Sequence, residues 1–233
     1  MVPVIHSWFG EDHSLVRRFL DYDLHGSLMP LTSSTIIQHI VSFSKGGRAS
    51  VAYFYFDFQD ENKKHHHNLL PSLLVQFAAR SVSCCNIISR LYSENEDGMV
   101  QPSDEDLKNC LIDMLSVSPE HPMYIIMDAL DECPNSSGVR SPRGHVLRFV
   151  QELVELRLRN LHICVTSRPE IDIYSRLGPL TSLRISLHDQ AGHKEDIAKF
   201  IRSEVNVIAS DKRWRDDDKK LVIETLSEKA DGM

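Results

Sequence analysis

Three acidic side chains stand directly behind a short apolar run in the middle of this sequence. The run Met123–Met127 predicts a buried strand, and Asp128, Asp131 and Glu132 follow it. Carboxylates at the carboxyl end of a parallel strand lie in the crevice where ligands bind in open α/β sheets. There, one carboxylate can hold Mg²⁺ against phosphate groups, and a second can orient or deprotonate an attacking water. The alternative is an ordinary turn, since Asp and Glu are common where strands end.

A second polar group ends the next apolar run along the chain. The run Leu161–Thr166 is followed by Ser167 and Arg168. An arginine at the matching end of a neighbouring strand can reach a terminal phosphate of a nucleotide, with Thr166 and Ser167 beside it. The alternative is a surface arginine that precedes a proline turn. Found together at the ends of consecutive strands, the two groups predict a nucleotide site.

The elements that would position these groups alternate along the chain. Four apolar runs predict strands covered on both faces, as in a parallel sheet: Val51–Phe56, Met123–Met127, Leu161–Thr166 and Leu183–Leu187. Amphipathic periodicity predicts helices between and after them: Asn68–Arg80, Ser103–Leu115, Gly144–Arg159, Gly192–Val207 and Asp216–Lys229. This alternation is typical of an α/β fold with right-handed crossovers.

Composition narrows the class of protein. The net charge of −7 and a pI of about 5.9 argue against a general nucleic-acid binder, and no apolar run approaches the ~20 residues that span a bilayer. Five scattered cysteines without a C-x-x-C pair indicate reduced thiols in an intracellular protein, cytoplasmic or nuclear, and we expect the cytoplasm.

Three segments together resemble one family. Val51–Asp60, Tyr124–Cys133 and Leu161–Glu170 are similar to NACHT-type domains of the STAND class of signal-transduction ATPases. The nearest likeness is to fungal proteins that carry a nephrocystin-3-like N-terminal domain ahead of ankyrin or WD repeats. The likeness runs from about Thr32 to the last residue.

The resemblance implies a fold, a cofactor and roles. It implies a P-loop NTPase-like three-layer α/β/α core over 32–190, a helical and winged-helix portion that begins at 191–233 and is incomplete, and a degenerate or displaced segment at 1–31. It implies ATP or ADP with Mg²⁺ as cofactor. Asp128 is then the Walker B magnesium ligand, Asp131 and Glu132 are the catalytic acidic pair, and Arg168, with Thr166 and Ser167, is the sensor that contacts the nucleotide. Partners are implied to be other protein domains or a second copy of the chain.

The chain departs from the family at the phosphate loop. The pattern G-x-x-x-x-G-K-[ST] should precede a helix at Ser33–Ile40, but the sequence there is Leu24–Thr32, without the lysine or the second glycine. Backbone N–H groups and the lysine of that loop supply most phosphate contacts, so its loss should remove micromolar affinity. The expected first strand, Phe19–His25, carries two aspartates where a central strand should be apolar.

Three hypotheses on function follow. The first is a regulatory module of the NACHT type that has lost ATP binding and hydrolysis and acts through protein contacts. The second is a working ATP-dependent switch whose phosphate contacts come from an atypical loop. The third is an interaction fragment, or a truncated gene product, that keeps only the fold. Nucleotide binding separates the second hypothesis from the others.

Overall fold

The computed structural model describes residues 4–8, 49–64, 66–117, 121–135, 141–186, 193–212 and 214–229. The strands are β1 (Val4–Trp8), β2 (Ser50–Tyr55), β3 (Met123–Asp128), β4 (Leu161–Ser167) and β5 (Leu183–Ser186). The helices are α1 (Glu61–Lys64), α2 (Leu69–Ala78), α3 (Val82–Glu94), α4 (Asp104–Ser116), α5 (Pro142–Glu155), α6 (Ile171–Leu177), α7 (His193–Lys212) and α8 (Asp216–Lys229). The four predicted strands are all present, and so are the five helices predicted between Asn68 and Lys229. This confirms the α/β fold class.

The five strands form one sheet in the order β2-β3-β4-β1-β5. Strands β2, β3 and β4 are parallel, as predicted. Strand β1 is antiparallel to both of its neighbours, β4 and β5, so β5 runs in the same direction as β4. The carboxyl ends of β2, β3, β4 and β5 therefore meet at one edge of the sheet, which we call the carboxyl edge.

The expectation of a wholly parallel sheet needs one correction. Strand β1 was not predicted, and its direction is opposite to that of the rest because its register places Val4 beside Ser167 and Ser186. It belongs to the 1–31 segment expected to be degenerate or displaced. The expected strand at Phe19–His25 and the expected helix at Ser33–Ile40 lie outside the described residues.

Both faces of the sheet are buried. On one face Phe54, Ile125 and Ile163 pack into a core with helices α2 to α6. On the other face Val51 and Ile126 are wholly inaccessible to solvent. Successive side chains of a strand point to opposite faces, so a strand buried on both sides must be apolar throughout. This is the physical reason that continuous apolar runs were a reliable signal here.

A glutamine of α2 completes the outer side of β2, the edge strand of the sheet. The Gln76 side-chain N–H donates to the Tyr53 carbonyl at 2.8 Å, and the Tyr53 N–H donates to Gln76 Oε1 at 3.1 Å. The amide thus makes the pair of hydrogen bonds that a neighbouring strand would make. Two backbone groups that would lack a protein partner are satisfied.

Caps fix where the helices begin. Helix α4 starts at the predicted place with a capping box, in which Ser103 Oγ accepts from the Asp106 N–H and Asp106 Oδ2 accepts from the Ser103 N–H. Helix α5 starts two residues before the predicted Gly144, because Ser141 caps it and Pro142 takes its first position. Asn68 precedes α2 as predicted but makes no side-chain cap bond, since its backbone is already helical.

Helices α7 and α8 pack against each other after the sheet ends, where a helical portion was predicted. The start of a winged-helix portion remains an expectation. Among the described residues, no helix has the length and apolar character that crossing a membrane requires.

Candidate functional site

The predicted site residues meet at the carboxyl edge. The register sets Tyr55 opposite Asp128 and Met127 opposite Val165, so Asp128 lies next to Thr166 on the neighbouring strand. The Thr166 hydroxyl donates to Asp128 Oδ1 and accepts from the Ala129 N–H at 3.1 Å. The expectation that the ends of β3 and β4 come together is confirmed.

Asp131 binds the turn that follows β4. Its Oδ1 accepts from the Arg168 backbone N–H at 2.8 Å, and its Oδ2 lies 3.4 Å from Arg168 Nε. The carboxylate is nearly buried, whereas the arginine side chain is 58% exposed. Exposed ion pairs contribute about 0–1 kcal/mol, so the backbone hydrogen bond is the firmer tie between the two turns.

Glu132 reaches in the other direction, towards β2. Its Oε2 accepts from the N–H of Phe58, which follows that strand, at 3.3 Å. The three carboxylates of the motif, Asp128, Asp131 and Glu132, thus connect the end of β3 to the segments at the ends of β4 and β2. We call these three residues the acidic clasp.

The turn that carries the acidic clasp is tight. Ala129 has φ 54° and ψ 47°, the left-handed conformation that costs a non-glycine residue about 1 kcal/mol. The Ala129 N–H bond to Thr166 and the fully buried Leu130 hold it there. A short 3₁₀ turn, Leu130–Glu132, then projects Asp131 and Glu132 to opposite sides. The strain is local and is compensated by the contacts of the turn.

A buried arginine that was not predicted as a site residue donates hydrogen bonds to the backbone of this turn. Arg143, in the first turn of α5, is 7% exposed. Its Nε donates to the Cys133 carbonyl at 2.9 Å, and its Nη2 donates to the Asp131 carbonyl. Its Nη1 lies 3.3 Å from Oδ1 of Asp172, whose other oxygen also accepts from Asn135. A cation in the first turn of a helix opposes the helix dipole, and that was the signal available in the sequence.

Ser167 does not join the site with its neighbours. The residue is 1% exposed, its Oγ has no hydrogen-bond partner among the described residues, and it lines a cavity beside α6. Consecutive residues of a strand point to opposite faces, so Thr166 and Ser167 cannot both face Asp128. The structure therefore brings together five of the six predicted site residues.

The cysteines near the acidic clasp are not nucleophiles. Burial raises the pKa of Cys133 to about 12, and burial together with the charge of Asp128 raises the pKa of Cys164 to about 12. Both thiols stay protonated at neutral pH, and only thiolates attack or bind metal readily. We therefore expect neither thiol to act as a nucleophile at neutral pH.

The carboxylates that would hold Mg²⁺ in a nucleotide site are bonded to other groups of the chain. No cluster of three or more His, Cys, Asp or Glu side chains arranged to hold a metal ion occurs among the described residues. Mg²⁺ needs octahedral oxygen ligands, and Asp131 and Glu132 are already bonded to backbone N–H groups. Strand β1 starts at the carboxyl edge with Val4 and ends with Trp8 towards the opposite edge.

A comparison with protein families gives one match. The model of the family described as nephrocystin 3, N-terminal, matches residues 31–168, more than half of the chain. That range contains β2 to β4 and every residue of the acidic clasp. No curated protein and no solved structure matches the chain significantly.

Proposed function

The chain belongs to the nephrocystin 3 N-terminal family, and from this premise and the geometry of its acidic edge we propose that it is a regulatory protein-interaction module. The module has a NACHT-type NTPase fold but does not bind ATP. The observation that carries the proposal is that Asp128, Asp131 and Glu132 all form hydrogen bonds to neighbouring strand ends. An acidic motif that would bind Mg²⁺ in a nucleotide site here joins the end of β3 to the segments at the ends of β4 and β2.

The energetic argument concerns the phosphate groups of ATP. The chain lacks the glycine-rich loop with its lysine, and each lost charge-assisted hydrogen bond costs roughly 1.5–3 kcal/mol, or about one to two orders of magnitude in affinity. Several such losses together remove micromolar binding. The contacts of the acidic clasp would also have to rearrange before a metal ion could use Asp131 or Glu132. Hydrolysis of ATP is therefore not expected, and the module acts in the cytoplasm through contacts with other protein domains.

One observation favours a working ATP-dependent switch as second candidate. Asp128, Thr166 and Arg168 converge at the carboxyl edge, where nucleotides bind in open α/β sheets. In that case Asp128 would hold Mg²⁺ and Arg168 would leave Asp131 for the nucleotide.

Titration with a fluorescent ATP analogue and Mg²⁺, followed together with thermal unfolding, separates the two candidates. The variants are Asp128→Asn and, as a matched control, Asp113→Asn, which changes an exposed carboxylate on α4. A ligand at 100 times its Kd adds about 2.7 kcal/mol of stability, so a micromolar site saturated with ATP would raise Tm by roughly 5–10 °C.

We expect a folded protein that shows no saturable binding at analogue concentrations up to the millimolar range. For each of the three proteins, wild type and the two variants, Tm should be the same with and without Mg²⁺ and ATP. Micromolar binding that Asp128→Asn abolishes and Asp113→Asn retains would reject the proposal in favour of the switch. A wild type without cooperative unfolding would instead identify the chain as a fragment without a folded function.

A further inference from the structure

A second recess opens on the other side of the end of β4. It is a cavity of about 240 Å³ between the end of β4, helix α6 and the edge strand β5. Ser167, Arg168, Glu170, Ile171, Tyr174 and Arg184 are among the residues that line it. We call it the Ser167 cavity. It shares Arg168 with the carboxyl edge but none of the three residues of the acidic clasp.

The hydroxyl of Ser167 marks the floor of this cavity. It is buried and without a hydrogen-bond partner. An unsatisfied buried polar group costs about 1–3 kcal/mol, and nearly all such groups in folded proteins have a partner. An alanine would fill the same place at no such cost. Among the described residues, the hydroxyl therefore has an unmet capacity for a hydrogen bond, at the wall of the cavity that Ser167 lines.

Two guanidinium groups stand at the rim. The Arg184 guanidinium lies 4.6 Å from the centre of the Tyr174 ring, a cation–π contact that holds the side chain without neutralising its charge. Arg168 is bound to Asp131 through Nε, and among the described residues its two terminal nitrogens have no partner. Glu170 is the one carboxylate among the described lining residues. Two cations, one carboxylate and a buried hydroxyl favour an anionic group as occupant.

Size decides what carries that anionic group. Pockets for whole small-molecule ligands are about 300–1,000 Å³, so 240 Å³ is small for a nucleotide and sufficient for one or two amino-acid side chains. Apolar surface surrounds the opening: Ile171 is 87% exposed and Tyr174 is 53% exposed. Exposed tyrosine, arginine and isoleucine around a recess are the composition of a protein-binding surface.

We propose that the Ser167 cavity binds an acidic side chain of a partner protein. The carboxylate lies between Arg168 and Arg184 and accepts from the Ser167 hydroxyl, while an apolar neighbour in the partner's peptide covers Ile171. This rests on the proposed interaction function, for which it supplies a surface and the chemistry of the partner. It makes no use of Asp128 or of nucleotide.

The test uses the full chain and two immobilised pools of short random peptides, identical except for a fixed central Glu in one and Gln in the other. We expect the Glu pool to retain roughly tenfold more protein, the value of one charge-assisted hydrogen bond. Arg184→Gln should abolish that preference. The matched control Arg202→Gln, which removes an exposed arginine from α7, should leave it intact.

Ser167→Ala gives a second, independent readout. It should lower retention of the Glu pool several-fold without lowering Tm, because the hydroxyl makes no hydrogen bond to any residue that the structure describes. Equal retention of the two pools, or a Glu preference that survives Arg184→Gln, overturns the inference. Equal retention accompanied by a rise in Tm with inorganic phosphate, in wild type but not in Arg184→Gln, overturns it in favour of a small anion. None of these outcomes depends on ATP binding, so failure here and failure of the proposed function are distinguishable.

Discussion

Two neighbouring hydroxyl groups at the end of β4, those of Thr166 and Ser167, differ in their hydrogen bonding. Thr166 is 4% exposed and Ser167 is 1% exposed. Thr166 is bonded on both sides, to Asp128 and to Ala129, while the Ser167 hydroxyl has no hydrogen-bond partner among the described residues. Thr166 donates to the acidic clasp, whereas Ser167 lines the Ser167 cavity. The resemblance of the motif to a nucleotide site predicts that a ligand binds at the acidic clasp. The hydroxyl that lacks a hydrogen bond, however, lies at the Ser167 cavity.

The comparison extends to charge. In the acidic clasp, carboxylates are bound to N–H groups of the chain itself, and the turn rests on a buried arginine. Around the Ser167 cavity, both guanidinium groups are exposed, and within the described part of the chain that of Arg184 contacts only the Tyr174 ring. A polar group satisfied within the chain stabilises the fold, whereas one left unsatisfied at an opening is available to a partner. The following predictions test this distinction, from the largest effect to the smallest.

The largest effect is expected for Arg143→Leu. This change leaves Asp172 without its ion pair and removes the donor to the buried Cys133 carbonyl and the partly buried Asp131 carbonyl, for a loss of about 3 kcal/mol. That corresponds to a decrease in Tm of roughly 6–12 °C in a chain of this length. Arg148→Leu, at an exposed position of the same helix, should cost less than about 1 kcal/mol. Equal losses in the two variants would show that the acidic clasp does not depend on its buried support.

The intermediate effect separates the two hydroxyls directly. Thr166→Val preserves shape but removes the acceptor of the Ala129 N–H and one donor to Asp128, so we expect a loss of about 1–3 kcal/mol. Ser167→Ala should leave the free energy of unfolding unchanged or raise it. Denaturant titration of both variants gives the difference. If Ser167→Ala proves the more destabilising of the two, the contrast between clasp and cavity is wrong.

The smallest effect is expected for Asp106, a carboxylate outside the acidic clasp that also accepts hydrogen bonds from its own chain. Hydrogen bonds from the Ser103 side chain and then its backbone N–H hold the pKa of Asp106 below its ordinary value of 3.8. A depressed pKa in the folded state adds stability above the unfolded pKa, and that stability is lost as pH falls through the folded pKa. Asp106→Asn should therefore have a slightly lower Tm than wild type near neutral pH, and the difference should disappear as pH falls below 3.8 and through the folded pKa. A difference that stays constant over this range would assign the effect to packing rather than charge.

Local patterns were sufficient for most of the fold. The strands β2 to β5 were identified because burial on both faces demands continuous apolar runs, and the bounds of α4 followed from the capping box at Ser103. Helix α3 was missed because Cys84, Cys85 and Asn86 interrupt its apolar periodicity. Strand β1 was missed because its place is set by pairing with Ser167 and Ser186, more than 150 residues away.

The site was predicted in location and only partly in its contacts. Strand ends and residue types were sufficient to bring Asp128, Thr166 and Arg168 to one edge. Whether a carboxylate faces a ligand or the N–H of another turn depends on loop geometry that spacing does not encode. The same holds for Ser167, whose isolation follows from strand alternation only once the partners of Thr166 are known, and for Arg143, whose partners lie on two different loops.

The hydrogen bonds of the Gln76 amide affect how this protein can associate with other chains. An uncovered edge strand is a template on which other extended chains can pair, and such pairing leads to uncontrolled sheet growth. With both Tyr53 backbone groups occupied, that route is closed at the middle of β2. At this position of β2, a partner can be recognised only through side chains, because the backbone groups that would pair with any extended chain are already occupied.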